Sequence, residues 1–175
     1  MLTRVALFGM FLAAAAAVEG AWLSRLPLPA APDLLLLIVV AAGVRRGLEA
    51  GALLGVTAGY VRDLTGGSPL GIFTFAYLAA GVAAGSVMSV VDFNHRLAPA
   101  LMAIAATICL YLISGMLVAA TGLASTPWVG VFPSLAAAAA VNAILARTMD
   151  GVFCRVEHLG RRPFPEKAIG YRVLR

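Results

Sequence analysis

The sequence predicts an all-α integral membrane protein, in which six transmembrane helices form a bundle and both termini lie in the cytoplasm. Of its 175 residues, 62% are hydrophobic and only 12% are charged, whereas soluble domains are roughly half apolar and a quarter charged. The apolar residues form six runs, separated by short stretches rich in proline, glycine or charge. A spanning helix needs roughly 20 apolar residues, so six of them leave no room for a second folded domain.

The first two predicted spans flank a proline-rich loop. Span one covers about residues 5–23, and we expect it to be uncleaved because its apolar run continues to Leu23 and its loss would leave an odd number of spans. Span two starts near Asp33, whose side chain can cap a helix, and ends at Arg45 and Arg46. This span is short, so a tilted or re-entrant course is the alternative to a full crossing.

Span three, about residues 47–64, carries the most distinctive pattern in the chain. Glycine recurs at every fourth position, and the same spacing then reaches an acidic residue: Gly47, Gly51, Gly55, Gly59 and Asp63. Small residues at this spacing let helix backbones approach closely inside a bilayer. The stripe therefore predicts close packing, either within the bundle or against a partner protein.

The remaining spans follow a turn that contains Gly67 and precedes Gly71. They cover about residues 72–91, 97–121 and 128–146, so residues 1–148 form the transmembrane domain and residues 149–175 a basic cytoplasmic tail. When Lys and Arg are assigned to alternate loops, eleven fall on one side and two on the other. Cytoplasmic loops carry this excess, which explains the net charge of +5 without a nucleic-acid partner.

The tail contains apolar residues at helical spacing, namely Val152, Phe153, Val156 and Leu159. Together they predict a short amphipathic helix that lies on the inner leaflet, with its basic neighbours near anionic membrane lipid. A charged, unstructured tail is the alternative.

Ionisable residues within the predicted spans are few, and three of them lie at similar depth near the outer face: Glu19, Arg62 and Asp63. A charge at the bilayer centre costs roughly 3 kcal/mol or more. We therefore expect Glu19 to pair with Arg62 across spans one and three, while Asp63 caps backbone groups in the following turn or contacts a partner. The alternative is that all three side chains reach the headgroups.

The sequence predicts no catalytic residue, cofactor or metal site. It contains no P-loop, zinc motif or paired catalytic carboxylates, and its two cysteines and two histidines are isolated. The uncharged polar residues Thr107, Tyr111, Ser114 and Asn142 fall within spans five and six, where they can hydrogen-bond between helices.

Residues 32–81, PDLLLLIVVAAGVRRGLEAGALLGVTAGYVRDLTGGSPLGIFTFAYLAAG, resemble the MreD family of bacterial rod shape-determining membrane proteins. The features that carry the resemblance are a Pro-Asp pair before a leucine-rich span, an Arg-Arg turn, the glycine stripe with Asp63, and the glycines that follow it, Gly67 and Gly71. Arg62 is a departure, because an apolar residue is expected at this position.

The resemblance implies a non-enzymatic subunit of the cell-elongation complex in the bacterial inner membrane. Such a subunit would bind MreC, a single-span protein with a periplasmic domain, and would be linked to MreB and the peptidoglycan synthases. A second copy of the chain is a further candidate partner. The fold is expected to be similar to that of the substrate-binding components of energy-coupling-factor vitamin transporters. Such a vitamin-uptake component is the main alternative function, and a lipid-modifying enzyme is a more distant one.

Overall fold

The computed structural model describes residues 2–21, 30–66, 69–87, 97–122 and 131–160. These residues form six α-helices: α1 (Leu2–Ala21), α2 (Leu34–Arg46), α3 (Leu48–Gly66), α4 (Ile72–Val87), α5 (Ala98–Ala120) and α6 (Val131–Gly160). The all-helical prediction is confirmed. Within the described residues, Ala98–Ala120 and Pro133–Val156 are long and apolar enough to cross a membrane, and Gly9–Ala21 and Ile72–Val87 are shorter apolar helices.

The centre of the bundle is α2. Its residues from Leu34 to Gly43 are all buried, and the helix packs against each of the other five. A helix that is hydrophobic on every side is expected at such a central position. Because it has 13 residues, α2 is only about 20 Å long, less than the roughly 30 Å of a hydrocarbon core.

A tight hairpin joins α2 to α3, as the closeness of spans two and three predicts. Gly47 is the only residue between the two helices, and its φ of 88° lies in the left-handed region. Glycine adopts this conformation without the steric cost that a Cβ would impose. The N–H of Gly47 also donates to the carbonyl of Gly43, at 2.9 Å, which closes the end of α2.

The most extensive helix contact is that between α3 and α4, and the glycine stripe lies in it. A Cβ on Gly55 would be 2.6 Å from the backbone oxygen of Tyr77, and one on Gly59 would be 2.5 Å from the Cα of Thr74. Gly51 approaches the backbone of Gly81 in the same way. The stripe therefore packs inside the bundle, and its face is not available to a partner while α3 and α4 remain together.

The last helix, α6, continues past the predicted end of span six at Ala146 and runs without a break to Gly160. Phe153, in its final turns, is fully buried in the main hydrophobic core. This burial corrects the expectation that Phe153 lies on a lipid-facing surface. Val152 and Val156 are half-buried, and the side chain of Leu159 lies outside the described residues.

Candidate functional site

A polar cluster lies where the last turns of α1 and α3 meet the first turn of α2. In this cluster, Arg62 on α3 donates from Nη1 to Oε1 of Glu19 on α1. Glu19 is only 5% exposed, and the Arg62 guanidinium lies 5.9 Å from the centroid of the Phe73 ring, in a cation–π arrangement. The structure thus places the two residues that the sequence analysis paired, 43 positions apart, in direct contact.

Asp33 is the N-cap of α2 and also joins that helix to two others. Its Oδ1 accepts from the N–H of Leu36 at 2.8 Å, which confirms the predicted cap. Its Oδ2 accepts from the hydroxyl of Tyr77 on α4 at 2.5 Å, and its own N–H donates to Oδ1 of Asn142 on α6 at 2.9 Å. The start of the central helix is therefore fixed to α4 and α6 by groups that are themselves buried.

Asn142 extends this network to α5. Its Nδ2 donates to Oγ1 of Thr107 at 3.0 Å, and both residues are fully buried. The predicted interhelical role of these two uncharged side chains is thereby confirmed. Sequence reasoning missed the contacts of Asp33 with Tyr77 and Asn142. The signal that could have suggested them is a single amide and a single phenol, each within an apolar stretch of its helix.

Asp63 caps the start of α4. Its carboxylate accepts from the backbone N–H groups of Gly71, Phe73 and Thr74, at 2.8, 2.9 and 3.1 Å, and from the hydroxyl of Thr74 at 2.7 Å. A helix N-terminus presents N–H groups that have no partner within the helix and favours negative charge. Because Asp63 lies on α3 and is 2% exposed, this cap closes the α3–α4 hairpin with a buried carboxylate.

A glycine directly before α4 is a further predicted residue of this region that the structure describes. Gly71 has a φ of 106°, so a side chain at this position would be strained, and its N–H is one of the donors to Asp63. Gly67 lies outside the described residues.

A cavity of about 270 Å³ lies beside the polar network. Its polar lining residues are Glu19, Asp33, Arg62, Thr107, Tyr111, Ser114 and Asn142, and its apolar ones include Phe73, Leu110 and Ala138. Oε2 of Glu19 is buried and accepts no hydrogen bond of ordinary geometry within the described part of the chain, although the N–H of Leu35 is near enough to attract it. The sequence does not predict this cavity, because six separate segments form it.

An ion pair lies at the opposite end of α2. Arg45 donates from Nε and Nη2 to the two carboxylate oxygens of Asp150 on α6, both at 2.5 Å. The arginine side chain is 39% exposed and the aspartate 21%. Exposed pairs of this kind contribute about 0–1 kcal/mol, so this contact orients α6 more than it stabilises the protein.

The family model for the rod shape-determining protein MreD matches residues 2–154, which include all of α1 to α5 and most of α6. No curated protein and no solved structure matches the chain. The matched region contains the glycine stripe, both capping aspartates and the Glu19–Arg62 pair. It is about three times as long as residues 32–81, on which the sequence resemblance depends. The chain therefore belongs to the MreD family, whose members are membrane proteins with a role in rod shape determination.

Proposed function

We propose that this protein is a non-enzymatic, multi-pass subunit of the cell-elongation complex in the bacterial inner membrane, that it binds MreC, and that it helps organise lateral-wall peptidoglycan synthesis. Family membership gives the role in cell shape. The structural observation that supports an assembly role concerns two aspartates, the buried Asp63 and the half-buried Asp33. Both oxygens of Asp33 and both oxygens of Asp63 accept hydrogen bonds that fix helix starts or join helices. These contacts stabilise the bundle and support a structural role for both acids.

The glycine face of α3 is covered by α4, so we propose a different surface for the partner. The first helix offers a second face of small residues, since Gly9, Ala13 and Ala17 recur every four positions and are all exposed. A Cβ on Gly9 would meet nothing within 4 Å. Small residues allow close approach of another transmembrane helix, and we propose that the single span of MreC packs on this face.

The test is affinity purification of the tagged full-length chain from its host in a mild detergent, with mass spectrometry of the proteins and small molecules that accompany it. We expect recovery of MreC, with MreB and peptidoglycan synthases as more weakly bound partners. Recovery of an ATPase module in place of MreC would contradict the proposal. A second copy of the chain would be detected by co-expression of two differently tagged forms.

The cavity beside Glu19 is the observation that favours the alternative function, a substrate-binding component for vitamin uptake. Its volume of about 270 Å³ is close to the lower limit of roughly 300 Å³ for small-molecule sites. The two functions differ in what the purification recovers, because a transporter component would retain a vitamin-like molecule together with its ATPase module.

A further inference from the structure

The cavity beside the polar network is lined by one more formal negative charge than positive charge. Two carboxylates, Glu19 and Asp33, face it together with one guanidinium, that of Arg62. Asp33 has partners for both oxygens, and Oε1 of Glu19 is bonded to Arg62. Oε2 of Glu19 is left without a hydrogen bond of ordinary geometry among the described residues, on a side chain that is only 6% exposed. Buried polar groups in proteins nearly always have a partner, and besides Arg62 only the N–H of Leu35 attracts this carboxylate among the described residues. The oxygen can therefore accept a hydrogen bond from a donor bound in the cavity.

The size and the walls of the cavity limit what that donor can be. A volume of about 270 Å³ far exceeds the roughly 30 Å³ share of one water molecule in the liquid. Phe73, Leu110 and Ala138 supply apolar walls, and Tyr111 is a further aromatic lining residue. No group of three or more His, Cys, Asp or Glu side chains in the described ranges is placed to hold a metal ion. The site fits a positively charged N–H donor that carries a small organic body.

We propose that this cavity binds a primary ammonium group, with Oε2 of Glu19 as its acceptor. An ammonium group supplies both the hydrogen bond and the positive charge, and charge-assisted bonds of this kind are the stronger ones. Two sources present the same chemistry, namely the headgroup of phosphatidylethanolamine and a free small amine. Arg62 keeps 35% of its side chain exposed, so its remaining N–H groups are available to the phosphate of such a headgroup. This inference does not depend on the binding of MreC.

The first experiment measures lipid binding to the purified, delipidated full-length protein by native mass spectrometry. Phosphatidylethanolamine is compared with phosphatidylcholine of the same acyl chains, whose quaternary nitrogen has no N–H to donate. We expect a preference for phosphatidylethanolamine of at least about tenfold, which corresponds to about 1.4 kcal/mol. The variant Glu19→Gln is expected to lose this preference, while Glu49→Gln, the same charge change at an exposed position of α3, is expected to keep it.

A second variant tests the site without disturbing the ion pair. Ala138 lines the cavity and is 3% exposed, so Ala138→Leu is expected to fill the space and abolish selective binding in a protein that still folds. Ala136→Leu makes the same change on an exposed face of α6 and should leave binding intact.

A third measurement separates the two sources. If a free amine is sufficient for binding, ethanolamine at millimolar concentration should raise the Tm of the delipidated protein. If ethanolamine has no effect and the preference for phosphatidylethanolamine remains, the ligand is the lipid headgroup. Equal binding of the two lipids by folded wild-type protein, together with no Tm shift in ethanolamine, would overturn the proposal. Full selectivity in folded Ala138→Leu would also overturn it.

Discussion

At the scale of single residues, two aspartates perform the same task from different helices. Asp33 caps the helix that it precedes, whereas Asp63 caps the next helix along the chain from a position on α3. The sequence predicts the first cap because a capping residue directly before an apolar run is a local pattern. It leaves open whether Asp63 acts as a cap or contacts a partner, because the donors that Asp63 reaches lie eight to eleven positions away.

Replacement of Asp63 by alanine is expected to destabilise the α3–α4 hairpin. It would leave the N–H groups of Gly71, Phe73 and Thr74 without their acceptor at the start of α4, where Phe73 and Thr74 are half-buried and Gly71 is exposed. Each unsatisfied buried group costs about 1–3 kcal/mol, and an exposed one costs less because water replaces the acceptor. We expect the free energy of unfolding to fall by at least about 2 kcal/mol, measured by denaturant titration in detergent micelles. Asp63→Asn, which retains one acceptor, should lose less. The control is Asp150→Asn at the partly exposed ion pair. If this variant loses as much free energy of unfolding as Asp63→Ala, the capping role of Asp63 is contradicted.

The pair between Glu19 and Arg62 is expected to show energetic coupling. Either single alanine variant leaves a charge in a largely buried site, whereas the double variant removes both charges at once. The double variant should therefore be more stable than the sum of the single effects implies, by about 0.5–3 kcal/mol. The same cycle on Arg45 and Asp150, an exposed pair, should give about 0–1 kcal/mol. Additive effects for Glu19 and Arg62 would show that their contact contributes nothing to stability.

At the scale of elements, the glycine stripe shows what a periodic sequence pattern can predict about helix packing and what it cannot. A four-residue repeat of small side chains predicts close helix packing, and Gly51, Gly55 and Gly59 are all buried in the α3–α4 contact. The pattern does not identify the facing helix, because periodicity within one segment contains no information about its neighbour. Burial of Phe153 illustrates the same limit. The sequence predicts which helical face Phe153 lies on, but it does not predict whether that face contacts lipid or the protein core.

Gly55→Ala and Gly151→Ala are expected to have opposite effects. The added methyl group at position 55 would be 2.6 Å from the backbone of α4, so the helices must separate, and overpacking of this kind costs about 1–3 kcal/mol. A methyl group at Gly151 in α6 meets nothing within 4 Å, and alanine favours helix over glycine by roughly 0.5–1 kcal/mol. Unfolding in detergent should show the first variant less stable than wild type and the second more stable. Equal stability of the two variants would contradict the close packing of α3 against α4.

At the scale of the whole molecule, a short central helix is surrounded by five others and fixed at both ends. Polar contacts to α4 and α6 secure the start of α2, and the Arg45–Asp150 pair joins its end to α6 again. The all-helical class, the apolar runs and the tight hairpin at Gly47 follow from sequence because they depend on local composition. The central position of α2 and the cavity beside it do not, because Asn142 is 109 positions from Asp33 and no local pattern brings the two together.

The arrangement of the bundle leaves α1 as the helix most open to a partner. Among the described helices, α1 packs against α2, α3 and α6, and in each case less extensively than α3 packs against α4. Its exposed small residues lie on the side that faces away from those contacts. If the span of MreC packs there, a large side chain on this face should prevent binding and leave the bundle folded.

Ala17→Leu is the variant that tests this surface. Ala17 is exposed on α1, so leucine at this position should not disturb the core, but it should keep a second helix from the close approach that small residues permit. We expect co-purification of MreC to fall at least tenfold while the Tm in detergent stays unchanged. Ala105→Leu makes the same substitution on an exposed face of α5 and should retain MreC at the wild-type level. If Ala105→Leu loses MreC and Ala17→Leu retains it fully, the partner surface lies on α5 and not on α1. That result would still agree with the proposed role in assembly.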